Sequence, residues 1–179
     1  MSDFTAYTPD TASQAGKEIL LGIKKNFGFI PNLFNYMIAA PTTVQAYLQM
    51  MQLISQGSFS PAQTQLALLT VSLENDCNFC SLAHRALGKQ AGIQAQTLSA
   101  LLAGQEIHDK KDQALVQFTR QLVQARGRPG DAAVQHFFAA GFSQAQVFEL
   151  MLIIAVKTLS NYSNHLTQPE PNPELLAML

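Results

Sequence analysis

The sequence is short of cysteine, of charge and of long apolar runs. Its 179 residues include only 2 cysteines, Cys77 and Cys80. In a reducing compartment such a pair points to catalysis or metal binding rather than to a structural staple. Charged residues make up 13%, against about 25% in an ordinary soluble domain. The 11 Lys and Arg are balanced by 12 Asp and Glu, for a net charge of −1. That balance excludes a nucleic-acid footprint and a basic face for membrane binding. The longest apolar run, residues 150–156, falls far short of the ~20 residues that span a bilayer. Met1-Ser2-Asp3-Phe4 lacks the basic and apolar regions of a signal peptide. The expectation is a soluble, cytoplasmic protein. No segment of five or more residues alternates with period two, which argues against strands.

Apolar residues are present in ordinary measure, at 47%. The missing charge is replaced by Gln, Ser, Thr and Ala, a pattern that suits a chain burying surface against copies of itself. A chain of this length is expected to form one domain, 1–179, with a full core. Its punctuation predicts helices throughout. Asp10 is the expected cap of a first helix ending at Gly28, and Pro31 and Pro41 bracket a short one over 32–40. Pro41 opens the next, which runs to near Gly57, and Ser60-Pro61 caps one over 61–76. Further helices are predicted over 77–91, 94–103, 109–125, 131–140 (capped by Asp131) and 143–165. The proline-rich stretch 169–173 breaks the helical pattern and leads into an apolar tail, expected to lie as an arm over a neighbouring chain. The fold class is all-α.

The chemistry is concentrated in Cys77-Asn78-Phe79-Cys80-Ser81-Leu82-Ala83-His84. At 100° per residue, Cys77, Cys80 and His84 fall within roughly 60° of one another on a helix. Cysteine attacks as thiolate, and a helix start lowers its pKa because unpaired backbone N–H groups favour the anion. Asn75 and Asp76 are the expected caps, placing Cys77 in the first turn. His84, one turn beyond Cys80, is within reach to accept a thiol proton or hold a water that does. A peroxide would convert one thiolate to sulfenic acid, and the second cysteine would condense with it to a disulfide. Structural zinc needs four ligands where this motif offers three, and a pair of inert buried cysteines is the other bland alternative. No metal or cofactor is expected. Of the remaining histidines, His108 is read as a loop residue, His136 as a core residue and His165 as a helix-end cation.

These residues resemble the carboxymuconolactone decarboxylase superfamily, in particular its alkylhydroperoxidase AhpD-like branch. The match runs from Glu74 through His84 and extends to Phe29-Ile30-Pro31-Asn32 and Asn161-Tyr162-Ser163-Asn164-His165-Leu166, covering 28–168 and leaving 169–179 as the arm. The resemblance implies an all-helical fold assembled as a symmetric homotrimer or homohexamer, with thiol-dependent reduction of small organic hydroperoxides. It also implies that Cys80 is peroxidatic, Cys77 resolving and His84 the relay, with electrons from a thioredoxin-like or lipoyl-bearing partner. Two departures stand out. The pattern's glutamate, twelve residues before the first cysteine, is Gln65 here, and an amide cannot take a proton at neutral pH. The pattern's histidine between the cysteines is Phe79. Glu74 is a candidate replacement base, but nine residues separate it from Gln65, about 180° apart on one helix. It reaches the thiols only if the helix breaks before Cys77; otherwise it is a solvated or subunit-facing carboxylate. Two other functions stay open: a redox-responsive scaffold without turnover, and a decarboxylase-type lyase, which would not rely on the dithiol.

Overall fold

The computed structural model describes residues 4–179, and the reading of the amino terminus at residues 1–3 lies outside them. Among the described residues the chain forms ten helices and no strand. The first, α1 (Gln14–Phe27), starts later than predicted. Thr8 to Thr11 close a turn around Asp10, and Ser13 takes the cap by accepting from Gly16 N at 3.2 Å. Gly28 ends α1 in the left-handed region, at φ 82°, where glycine has no steric penalty. The helix α2 (Asn32–Met37) has a proline at its cap position and no side-chain cap. Asn172 supplies it from the far end of the chain, its Oδ1 accepting from Asn32 N at 2.7 Å.

Next come α3 (Pro41–Ser55), opened by its proline, and α4 (Pro61–Glu74). Ser60 and Gln63 form a capping box at the start of α4, each side chain bonding the other's backbone N–H. They are followed by α5 (Asn78–Gln90), α6 (Ala95–Leu102) and α7 (Lys110–Gln124). In α8 (Asp131–Ala139) Asp131 is the first helical residue and not the predicted cap, a place taken by Gly130. A second capping box, Ser143 with Gln146, opens the long helix α9 (Gln144–Thr167). The last element is the short α10 (Pro173–Ala177).

The helix α4 is the axis of the domain. Residues 66–72 are all buried, because α5, α7 and α9 surround them. Thr70 and Ser72, inside this run, return their hydroxyls to Leu66 O and Leu68 O at 2.8 and 2.7 Å, so neither is buried without a partner. Truncating a residue such as Leu68, fully buried here, to alanine costs about 2–5 kcal/mol. Away from the cysteines, Phe118, Phe137 and Phe142 stack at 4.3 Å steps to close the other end of the core. His136, expected in the core, is exposed instead, since its neighbour Phe137 takes the inward position on α8. No single helix among the described residues is long and apolar enough to cross a membrane.

The tail folds back on its own chain. Asn172 binds Asn32 N and Ile30 O, Asn32 Nδ2 donates to Glu170 O at 2.8 Å, and Leu175 is buried against the domain. The sequence places these apolar residues over a neighbour. Here α10 lies along α5 of the same chain, and Lys89 Nζ donates to the terminal Leu179 carbonyl.

Candidate active site

The turn between α4 and α5 positions the two thiols. Asp76 adopts a left-handed conformation at φ 51°, and the N–H groups of Asp76 and Cys77 return to Leu73 O and Ser72 O at 3.0 and 2.9 Å. This is a Schellman closure of α4, and it fixes the chain direction before α5 begins. Asn75 and Asp76 therefore finish α4 and do not cap α5, as the sequence had suggested. Cys77 itself stands at the cap of α5, with Ser81 N donating to its carbonyl at 2.9 Å, and Cys80 is the cysteine in the first turn.

Both cysteines are free and buried, each 2% exposed. Asn164 Nδ2 donates to Cys80 Sγ at 3.1 Å and to Ser160 O at 2.9 Å. The Cys80 thiol is lowered to about 5, first by a hydrogen bond from the Cys77 thiol. Burial opposes the shift, while the charge of Lys157 and the Asn161 amide support it. Cys77 moves the opposite way, raised by that same contact and by burial. The two shifts oppose each other through that one contact, which favours the anion on Cys80 over Cys77.

His84 is buried as well but does not bond Cys80, as its spacing had suggested. Its Nδ1 lies 2.8 Å from Gln65 Oε1 and its Nε2 lies 2.8 Å from Lys157 Nζ. An amide oxygen only accepts, so Nδ1 carries the hydrogen and Nε2 is the acceptor for Lys157. Burial, and then the Lys157 charge, hold the imidazole well below its ordinary pKa, and it is neutral at pH 7. Gln65 thus does what an amide can do there: it orients the ring. Glu74, the other candidate base, is turned away from the thiols. It accepts from Arg120 Nε at 3.0 Å and from Gln124 Nε2 at 2.7 Å on α7. The opposite faces predicted for Gln65 and Glu74 hold, and the chain's turn after Glu74 does not bring its carboxylate round.

Lys157, Asn161 and Asn164 were not singled out as site residues from sequence. All three are buried, at successive turns of one face of α9. A signal existed: polar residues at i, i+4 and i+7 directly after the apolar run 150–156. His108 and His165 are exposed, and His165 lines the hollow beside Cys77. Among the described residues no cluster of three His, Cys, Asp or Glu side chains is arranged to share a metal ion.

Two hollows meet the dithiol from different sides. A cavity of about 540 Å³ reaches Cys80, His84 and Lys157; its walls include Phe34, Tyr47 and Met51, and Leu175 and Met178 come in from the carboxyl-terminal tail. A second of about 440 Å³ reaches Cys77 and is lined by Asp76, Asn164, His165 and Gln168. Phe79 borders both. Peroxide-sized or larger apolar molecules fit the first, whose walls offer apolar surface, while the second is more polar.

Residues 41–121 match the model of the carboxymuconolactone decarboxylase family. No curated protein matches the chain. Solved structures match it nearly end to end. An AhpD-core, peroxidase-related protein from Ralstonia eutropha JMP134 has a TM-score of 0.84 at 18% identity, covering 99% of this chain and 95% of that one. The debrominase Bmp8, in complex with 2,3,4-tribromopyrrole, has a TM-score of 0.80 at 16% identity, covering 99% and 96%. A peroxidase-related protein from Silicibacter sp. TM1040 has a TM-score of 0.77 at 18% identity, covering 97% and 94%. At these identities the likeness is one of fold.

Proposed function

We propose, from the match of residues 41–121 to the carboxymuconolactone decarboxylase family and from the AhpD-like fold, that the chain is a thiol peroxidase acting on small organic hydroperoxides. The observation that carries this reading is a thiol of lowered pKa at the end of an apolar cavity, with a second thiol behind it. The Cys80 thiolate attacks the outer oxygen of the hydroperoxide, the O–O bond breaks, and the alkoxide leaves and is protonated to the alcohol. Cys77 then attacks the Cys80 sulfenic acid, a disulfide forms and water leaves. A dithiol donor, thioredoxin-like or lipoyl-bearing, reduces the disulfide through the hollow beside Cys77.

The proposal includes a reducing, cytoplasmic setting and a symmetric trimer or hexamer. Phe138, Phe148 and Leu53, all exposed in the single chain, are surface that such an assembly would cover. The test is consumption of an organic hydroperoxide with dihydrolipoamide as reductant. Turnover in the wild type that vanishes in Cys80→Ser supports the reading, and no turnover from a fully reduced wild type sinks it. In that event a redox-responsive scaffold is the better account.

The aromatic walls and the fold shared with a debrominase favour one second reading, reductive removal of halide from an aromatic ring. There the two thiols supply two electrons, and the products are the dehalogenated ring, halide and the disulfide. Halide release from a bromopyrrole, measured beside peroxide loss, separates the two reactions. A decarboxylase-type lyase would keep its activity in Cys80→Ser.

A further inference from the structure

Lys157 is 2% exposed near the middle of α9, and none of the ion pairs among the described residues includes it. A buried ammonium group needs an anion beside it. Each neighbour can be tested for that part. From α5 come His84, a neutral acceptor of the Lys157 hydrogen bond, and the two thiols. From α4 comes Gln65, which is uncharged and already bonded to His84. From α9 itself come Asn161 and Asn164, both amides. The Asn161 amide, like that of Asn164, supplies a donor to Cys80 and no negative charge. From α2, α3 and the carboxyl-terminal tail come Phe34, Tyr47, Leu175 and Met178, none of which carries a carboxylate. Only a thiolate remains as the counter-ion, and the Lys157 charge and Asn164 Nδ2 act on Cys80.

We propose that Lys157 is the ion-pair partner of the Cys80 thiolate and the acid that protonates the oxygen leaving the substrate. This second role rests on the peroxidase reading. The site then moves two protons in turn through one amine. Attack by the thiolate yields the Cys80 sulfenic acid and an alkoxide, which takes a proton from the Lys157 ammonium and leaves as alcohol. The neutral amine next takes the Cys77 thiol proton. As Cys77 attacks the sulfenic sulfur, the departing hydroxide takes that proton back as water. The lysine ends neutral beside a disulfide and is protonated again when a dithiol donor restores the thiolate. No carboxylate base is required, so Gln65 is compatible with turnover. His84 is a positioning residue that holds the amine on the sulfur side.

The test reads the thiolate itself and needs no peroxide. In a Cys77→Ser background, Cys80 is alkylated with iodoacetamide across pH 4–9, with and without Lys157→Met and Lys157→Arg. The expected result is that Lys157→Met moves the midpoint up by about one pH unit or more, slowing alkylation about tenfold at pH 4, below both midpoints. Lys157→Arg should restore most of it. An unchanged midpoint in a folded Lys157→Met protein overturns the ion pair. Should that variant not fold, the thiolate absorbance of the wild type decides, since a chain without thiolate at pH 7 also overturns it. If the alkylation shift is found but the wild type consumes no peroxide, the peroxidase reading and the proton-donor role fall together and the ion pair stands.

Discussion

Cys77 and Cys80 stand one helical turn apart and are equally buried, yet their surroundings push them in opposite directions. Cys77 is the cap of α5, borders the more polar hollow and holds its proton. Cys80 lies one turn in, borders the apolar cavity and receives a cation and amide donors from α9. Spacing and exposure make the two thiols equivalent; the helix packed across them does not. The comparison teaches that in a buried dithiol the more acidic sulfur is set by the contact between the thiols together with what the neighbouring element delivers.

The largest effect should come from removing one thiol at a time. Cys80→Ser should lower peroxide consumption by about a thousandfold or more, because the nucleophile is lost. Cys77→Ser should retain one turnover and stop with a trappable sulfenic acid on Cys80. Equal loss at both positions, with sulfenic acid at neither, would erase the distinction between them. The next effect is pH. The Cys80 pKa is depressed, so its reactive thiolate is present above about 5 and is lost as pH falls through that value. Alkylation of the wild type should therefore fall steeply only below about pH 5. A midpoint near the ordinary thiol value of about 8.5 would refute the assignment.

Smaller still is Gln65→Leu, which removes the acceptor of the His84 Nδ1 hydrogen and frees the ring to turn. Turnover should fall about tenfold, with the Cys80 alkylation midpoint moving less than in Lys157→Met. The smallest effect is expected at Glu74→Gln. It loosens the Arg120 pair on the far face of α4, costs about 1 kcal/mol of stability by thermal unfolding, and leaves turnover unchanged. Lost turnover in a stably folded Glu74→Gln protein would bring that carboxylate back into the proton path.

Much of the architecture was legible because helix ends are written locally. Ser60, Gln63 and Pro61 specify the start of α4 by themselves, and Ser143 with Gln146 does the same for α9. The errors fell where a distant partner or a competing local turn prevails. Asp10 lost the cap of α1 to Ser13 because the preceding threonines close their own turn. The cap of α2 comes from Asn172, 140 residues away. The candidate site divides the same way. Cys77, Cys80, His84 and Gln65 were visible as a motif and its departure from a family pattern. Lys157, 73 residues from His84, carried only a faint polar periodicity on an apolar helix.

The sequence alone determined an all-helical chain, the place of nearly every helix start, and a dithiol with a histidine in one short motif. These follow from interactions within a turn or two of chain. Tertiary structure decided which thiol is the anion, which residue bonds the histidine, that Glu74 is spent on Arg120, and that the tail closes its own cavity. Each of these depends on how α4, α5, α9 and α10 pack against one another. The hydrogen bond between the two thiols, and then one lysine charge and a few amides, separate two otherwise similar sulfurs in that packing.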